Sequence, residues 1–292
     1  MAEAFISRRG GSGIKINGQE IMDVVFEETI NKGDRVVMHP SIPSLKVEDP
    51  STLPTDDGYG CAFSPDGMYL AVAHDSSPYI TIYKRSGDTF TKLSDPSSLP
   101  GAGHGCAFSP DGTYLAVAHD TSPRITIYKR SGDTFTKLSN PSPLPTYNAY
   151  GCAFSPDPDG TYLAVAHNDS PYITIYKRSG DTFTKLSNPS PLPTYNAYGC
   201  AFSPDGVYLA VAHWSSPYIT IYKRSGDTFT KISNPSSLPT NTGRGCAFSP
   251  DGTYLAVAHV GSPFITIYVA GYQANLYIDG STYGLGSLLG YA

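Results

Sequence analysis

The side chains most able to take part in catalysis or metal binding recur at fixed places in this sequence. Each of the five cysteines follows a glycine in the motif GCAFSPD, and they are Cys61, Cys106, Cys152, Cys200 and Cys246. Five of the seven histidines end the motif YLAVAH, and they are His74, His119, His167, His213 and His259. Such thiols could form disulfides or bind zinc, and a ring of imidazoles could bind a metal or an anion.

The spacing argues against most of this chemistry. An odd number of cysteines at one repeat position is a poor disulfide framework, and the absence of a C-x-x-C motif gives no indication of zinc. We therefore predict that the cysteines are small buried side chains that pack between repeats. For the histidines we favour a hydrogen bond to the Ser-Pro loop that follows each one, and an ion site remains the alternative. No metal or other cofactor is predicted.

The recurrent charged residues indicate turns. Asp66 and Asp88, with their copies, belong to the turns SPDG and SGD, where aspartate caps its own backbone. The doublet Lys84-Arg85 and its copies indicate a solvated hairpin end, or a basic rim that touches an acidic neighbour. No carboxylate pair, Ser/His/Asp set or phosphate-binding glycine loop follows from the spacing.

A repeat of about 46 residues organises the chain. The motif GCAFSPD begins at Gly60, Gly105, Gly151, Gly199 and Gly245, and each copy continues as YLAVAH, a Ser-Pro loop and ITIY. The first copy predicts four strands, at residues 60–63, 69–74, 79–85 and 90–94, joined by turns. Four antiparallel strands with this period are typical of a β-propeller blade.

The repeat resembles a WD-repeat blade, most clearly over GCAFSPDGTYLAVAHDTSPRITIYKR at residues 105–130. It departs from that family because tyrosine stands in place of the tryptophan and lysine or valine in place of the aspartate that follows it. The resemblance implies an all-β protein and a WD-like propeller. The histidine-centred hydrogen-bond network of that family is not expected here.

Ring closure is also predicted. Residues 46–54 align with residues 92–100, and the last copy stops at Tyr268 without an outer strand of its own. We predict that an N-terminal strand, residues 43–50, supplies the fourth strand of the last blade, since closure removes open strand edges. The predicted organisation is an N-terminal flank at 1–42, a five-bladed propeller of four-stranded antiparallel blades at 43–268, and a C-terminal flank at 269–292.

The two flanks differ from the repeats. They contain strand candidates at residues 14–16, 23–26, 31–38 and 274–278, and we predict that they form a small β module together. The start MAEAFISRRGG, the segment INKGDRV and the end LLGYA resemble structural proteins of tailed phages. The resemblance implies a virion component made in the bacterial cytoplasm, which contacts other virion subunits through its flanks.

The copies differ mainly in two segments, the one before each GCAF and the one after each YLAVAH. In a propeller both emerge on the same face, which indicates a ligand-facing surface on a fixed scaffold. Aromatic rings with polar neighbours suit a glycan, and they also suit a protein partner. The candidate ligand-binding residues are Tyr59, Asp75, Tyr79, His104, Arg124, Tyr147, Tyr150, Tyr172, Tyr195, Tyr198, Trp214, Tyr218 and Arg244.

Composition excludes several classes of protein. Aromatic residues are 12% and charged residues 15% of the 292, which argues against disorder. A net charge of −5 gives no general attraction to nucleic acid. No signal peptide is visible, and no apolar run is long enough to span a membrane.

Three functions remain. The preferred hypothesis is a non-enzymatic structural module of a phage-like particle that binds a host-surface glycan or a neighbouring protein, as a homo-oligomer. The alternative is a general WD-like interaction scaffold. The third is a propeller hydrolase or lyase, which we disfavour because no acid, base or nucleophile set stands outside the repeat.

Overall fold

The computed structural model describes residues 46–157 and 160–270, together with four short strands in the flanks. The chain divides into two compact units, Met1–Lys46 and Val47–Ala292. The first contains an antiparallel hairpin of β1 (Ile14–Ile16) and β2 (Gln19–Ile21). The strands predicted at 23–26 and 31–38 lie outside the described residues, and so does most of the predicted flank module.

In the second unit each of the five sequence repeats forms one antiparallel sheet, which confirms the all-β, five-bladed propeller fold. The first two blades consist of β3 (Gly58–Phe63), β4 (Tyr69–His74), β5 (Ile80–Ser86), β6 (Thr89–Lys92), β7 (Gly103–Phe108), β8 (Tyr114–His119), β9 (Ile125–Ser131) and β10 (Thr134–Lys137). The third and fourth consist of β11 (Ala149–Phe154), β12 (Tyr162–His167), β13 (Ile173–Ser179), β14 (Thr182–Lys185), β15 (Ala197–Phe202), β16 (Tyr208–His213), β17 (Ile219–Ser225) and β18 (Thr228–Lys231). The fifth consists of β19 (Gly243–Phe248), β20 (Tyr254–His259) and β21 (Ile265–Val269), and a hairpin of β22 (Asn275–Ile278) and β23 (Ser281–Gly284) follows.

The SPDG turn fixes the first hairpin of each blade. In blade 1 the Asp66 carboxylate accepts hydrogen bonds from the Ser64 hydroxyl and, at 2.9 Å, from the Met68 amide. Gly67 follows with a φ of 64°, a backbone conformation that a side chain disfavours. The predicted role of this aspartate as a turn residue is confirmed.

Neighbouring blades pack through two faces of different composition. The front face of blade 1 consists of Tyr69, Ala71, Ala73, Ile80 and Ile82. It packs against the back face of blade 2, which consists of Cys106, Phe108, Leu115, Val117, Tyr128 and Phe135. The Phe135 ring lies edge-on to Tyr69 at 5.9 Å and to Phe108 at 6.2 Å. The next two interfaces repeat these contacts, so each blade is held by the blade that follows it.

A polar contact strengthens the same interfaces. The aspartates of the second, third and fourth SGD turns reach the preceding blade. Asp133 accepts hydrogen bonds there from the Tyr69 hydroxyl at 2.6 Å and the Lys84 ammonium at 2.8 Å. Asp181 and Asp227 make the same two contacts one and two blades further on. The basic doublet therefore touches an acidic neighbour, which was the alternative to a solvated hairpin end.

The recurrent histidines are structural. Each is buried, and its Nε2 lies 2.9–3.0 Å from the hydroxyl of the threonine seven residues later, on the third strand. A bond from His167 Nδ1 to the Asn168 carbonyl, at 2.8 Å, matches the predicted contact with the following loop. The main partner is nevertheless across the sheet, because each histidine on the second strand lies diagonal to that threonine, on the same face of the third strand. Among the described residues no three histidine, cysteine, aspartate or glutamate side chains gather as a metal site requires.

We expect Thr174→Val to lower the free energy of unfolding by about 1–3 kcal/mol, because it leaves the buried His167 Nε2 without its partner. Thr182→Val is the matched control, since Thr182 is exposed on the outer strand of the same blade. Urea unfolding of both variants checks the expectation. Equal midpoints for the two variants would show that the buried pair contributes nothing.

The fifth blade differs from the sequence prediction. In the described part of the chain it has three strands, and residues 46–50 form no strand. The segment after them contacts the first blade, because the Tyr83 hydroxyl donates a hydrogen bond to the Thr52 carbonyl at 2.9 Å, as Tyr128 does to the aligned Ser98 carbonyl. A cavity of about 890 Å³ lies where a fourth strand would complete the last blade, between Tyr208, Phe248 and Tyr268. Predicted closure by residues 43–50 is therefore not confirmed, and residues 43–45 lie outside the described residues.

Candidate functional site

One position in each repeat is a β-bulge. The inner strand of blade 1 pairs Gly58 with His74 and then Gly60 with Ala73, so Tyr59 is left unpaired between them. The other four inner strands shift register at the same place. A bulge bends the strand and redirects the extra side chain, and bulges are frequent beside active sites. The five bulge residues, which we call the mouth row, are Tyr59, His104, Tyr150, Tyr198 and Arg244.

The glycine after each bulge lets the inner strands approach closely. A Cβ atom on Gly105 would lie 2.8 Å from the Tyr150 carbonyl oxygen, which is closer than real side chains allow. The same contact recurs at Gly60, Gly151 and Gly199. Because the backbones come so near, the side chain just before each glycine meets its counterpart on the next blade.

The mouth row is continuous. The His104 ring centroid lies 5.6 Å from that of Tyr59 and 5.1 Å from that of Tyr150. Tyr150 and Tyr198 are 5.3 Å apart, and the Arg244 guanidinium lies 4.6 Å from the Tyr198 ring centre. Tyr59 and Arg244 are exposed, whereas the three residues between them are half-buried. An imidazole, three phenols and a guanidinium thus line one edge of the blades.

Residues from the second variable segment complete this surface. Asn168 Nδ2 donates a hydrogen bond to the Tyr150 hydroxyl oxygen at 3.0 Å. The Trp214 ring lies 6.2 Å from Tyr198 and 6.0 Å from the Arg244 guanidinium. Burial raises the pKa of Tyr198, so its phenol stays protonated and remains a donor at neutral pH. The two variable segments therefore meet on one face, as the sequence pattern indicates.

The remaining candidates form two smaller groups beside the mouth row. The Arg124 guanidinium lies 5.4 Å from the Tyr147 ring centre, and it donates a hydrogen bond to Asn148 Oδ1 at 3.1 Å. Tyr172 and Tyr195 stack with centroids 6.0 Å apart. Among the described residues, no ring contact or side-chain hydrogen bond joins the other three candidates to the mouth row, and these are Asp75, Tyr79 and Tyr218.

The cysteines behave as packing residues. Cys152 Sγ lies 3.7 Å from the Ala116 carbonyl of the preceding blade, and three other cysteines repeat that contact. Burial raises the pKa of Cys152 and Cys246 to about 12, which disfavours the reactive thiolate. The thiols of the second to fifth repeats thus agree with the predicted packing role between repeats, whereas Cys61 is exposed on the first blade, contrary to that prediction.

Sequence reasoning found the mouth row residues but did not group them. His104 and Arg244 occupy the repeat position that is tyrosine in the other three copies, and this substitution was the available signal. The bulge that points all five side chains to one place is not visible in the sequence pattern, because it depends on strand register.

Comparisons with known proteins point to enzymatic propellers. The model of the family Lactonase, a seven-bladed β-propeller, matches residues 106–195. A protein of Bacteroides uniformis assigned as a 6-phosphogluconolactonase is 17% identical, with a TM-score of 0.57 over 76% of this chain and 68% of that one. The periplasmic gluconolactonase of Pseudomonas aeruginosa is 18% identical, with a TM-score of 0.53 over 73% of this chain and 66% of that one. No curated protein matches the chain.

These findings overturn the functional prediction. We predicted a non-enzymatic virion component, whereas the matched family and both similar structures are named as lactonases. The propeller is supported, but the comparisons support neither the WD-repeat assignment nor the phage resemblance of the flanks. The chain spans about two thirds of each of these structures. In the part that the structure describes, no helix is long and apolar enough to cross a bilayer.

Proposed function

We propose that the protein is a hydrolase that opens the ring of a sugar-acid lactone at the mouth row. The observation that carries this proposal is the single continuous row that joins one imidazole, one guanidinium and three phenols. The family match and the two similar structures support a lactone as the substrate class. The hydrolase, which was the third hypothesis of the sequence analysis, thus replaces the virion component that was preferred there.

His104 is the general base of the proposed reaction. It removes a proton from a water molecule as the water oxygen bonds to the lactone carbonyl carbon, which forms a tetrahedral oxyanion. As the oxyanion collapses, the bond between the carbonyl carbon and the ring oxygen breaks. The imidazolium then returns the proton to the ring oxygen, so lactone and water give one hydroxy acid.

Tyr150 is the proposed donor to the oxyanion. Its oxygen already accepts a hydrogen bond from Asn168 Nδ2, so its own hydrogen is available to a substrate oxygen. Its ring also contacts His104, which places donor and base side by side. A preorganised donor of this kind stabilises charge that develops in the transition state.

Arg244 gives the proposed site a preference for an anionic substrate. Its guanidinium lies over Tyr198 and near Trp214, at the opposite end of the mouth row from Tyr59. Guanidinium groups bind phosphate and carboxylate with two parallel hydrogen bonds, and aromatic rings stack on the apolar faces of sugars. A phosphorylated lactone would therefore bind more tightly than its neutral parent.

Proton release from glucono-1,5-lactone and from its 6-phosphate, measured with a pH indicator, tests this function. We expect hydrolysis above the spontaneous rate, with a lower KM for the phosphate. Arg244→Met should raise that KM at least tenfold and leave the neutral lactone unaffected. Arg224→Met is the matched control, because Arg224 bonds the Gly206 carbonyl at the opposite ends of the strands. Hydrolysis no faster than in buffer for both lactones would refute the proposal.

A further inference from the structure

The first and last blades each expose a face that is buried everywhere else in the propeller. On the fifth blade the front face is open, with Tyr254 48%, Ile265 49% and Ile267 62% exposed. Their counterparts on the first blade, Tyr69, Ile80 and Ile82, are buried. On the first blade the back face is open, and Phe63 is 55% exposed there. These are two separate apolar surfaces, one at each end of the row of blades.

The chain itself shows what covers such a front face. At four internal interfaces a front face packs against the back face of the next repeat. The open front face has the same residue types as blade 1, namely Tyr254, Ala256, Ala258, Ile265 and Ile267. The back face of blade 1 has the same residue types as that of blade 2, namely Cys61, Phe63, Leu70, Val72, Tyr83 and Phe90, and of these Tyr83 is already buried where it bonds Thr52. The front face of the fifth blade and the back face of the first blade therefore have the residue types that pack together at the internal interfaces.

The polar groups of the interface are also present at both ends. Between blades 1 and 2, the Arg130 guanidinium lies 4.7 Å from the Tyr69 ring centre and forms an ion pair with Asp66 at 3.0 Å. Asp133 accepts a hydrogen bond from the Tyr69 hydroxyl. At the open ends the corresponding back-face residues are Arg85 and Asp88, and the corresponding front-face residues are Tyr254 and Asp251. One element is missing, because Val269 stands where the other blades have the lysine that pairs with aspartate.

We propose that the front face of the fifth blade binds the back face of the first blade of a second copy of this chain. The contact is head-to-tail, and it continues the internal blade packing across two molecules. Such heterologous contacts leave one free front face and one free back face on every open assembly. Association therefore proceeds until a ring closes or a filament forms. This inference does not depend on the proposed hydrolase activity.

Sedimentation velocity over a range of concentrations tests the proposal with two blocked variants of the full chain. Ile267→Arg places a charge on the front face, and Phe63→Arg places one on the back face. Both side chains are more than half exposed, so neither change disturbs the core. Tyr195→Arg is the control, because Tyr195 is exposed on the fourth blade, away from both open faces.

We expect the unaltered chain and the control to associate as concentration rises, and each blocked variant alone to sediment as a monomer. A mixture of the two blocked variants should form a one-to-one dimer and nothing larger, since only one intact pair of faces remains. A monomeric unaltered chain would overturn the proposal, and so would a mixture that stays monomeric. Self-association of the Phe63→Arg variant would also overturn it, because that result requires two front faces to meet.

Discussion

Replacing His104 with glutamine is expected to lower kcat for lactone hydrolysis by about 10²–10⁴-fold, because the base that activates water is lost. KM should change little, since glutamine retains the side-chain length and one hydrogen-bonding end. Steady-state kinetics on the better of the two lactones measure both constants. The fold is expected to be unaffected, because His104 is half-buried and its ring contacts are with Tyr59 and Tyr150 at the surface.

A second variant separates catalysis from support of the mouth row. Tyr150→Phe keeps the ring contacts with His104 and Tyr198 but removes the hydroxyl that is held by Asn168. We expect a loss in kcat of about 10²-fold, typical of one oxyanion donor, with His104 still able to act. If both variants kept full activity, the lactone would be opened elsewhere and the mouth row would not be the active site.

Lowering the pH from about 6.5 to about 4 is expected to destabilise the fold strongly. Burial lowers the pKa of His119 and His213 to about 4, and it also lowers the pKa of His74 and His167. In this window the unfolded chain binds protons that the folded chain cannot, so the free energy of unfolding falls as pH falls. His119 and His213 each account for a loss on the order of 3 kcal/mol, which is complete once the pH passes below the folded pKa.

Urea midpoints at several pH values between 7.5 and 4 measure this dependence. The His213→Gln variant should show a shallower slope, because one proton fewer is taken up on unfolding. The Thr182→Val variant is the control and should keep the slope of the unaltered chain, because Thr182 is exposed and does not titrate. A stability independent of pH above 4 would show that the buried imidazoles are not held neutral. Carboxylates contribute at lower pH, since the pKa of Asp251, for example, is lowered to about 2.

The propeller could be predicted because local signals agree with one another in every copy. The SPDG turn, the apolar YLAVAH strand and the alternation of ITIY are each short-range patterns, and five repetitions leave one architecture that fits them. The strand Tyr69–His74 has the predicted bounds, and the predicted strand at 79–85 lies within one residue of Ile80–Ser86. Local turn chemistry is enough to fix these elements.

Closure of the ring could not be predicted in the same way. It depends on the angle between neighbouring blades, and that angle arises from how Phe135 and its equivalents fit between the facing sheets. The residue types alone do not determine this angle between blades. The alignment of residues 46–54 with residues 92–100 led to a predicted strand, whereas residues 46–50 form none in the structure.

Only part of the candidate site could be predicted from the sequence. Variation between copies marked the face that carries the proposed site, since it picked out Tyr59, His104 and Arg244. The sequence analysis disfavoured an enzyme because no acid, base or nucleophile set stands outside the repeat. The proposed site instead uses one repeated position, at which two copies have an imidazole and a guanidinium.

The uniform interface between blades has an evolutionary consequence. Because the facing residues are nearly the same at the four internal interfaces, recombination between the near-identical gene segments can add or delete one internal repeat and keep the same kind of contact. Each such event changes the side chains of the mouth row while the scaffold is preserved. A change in repeat number is therefore expected to alter the mouth row with little penalty in folding.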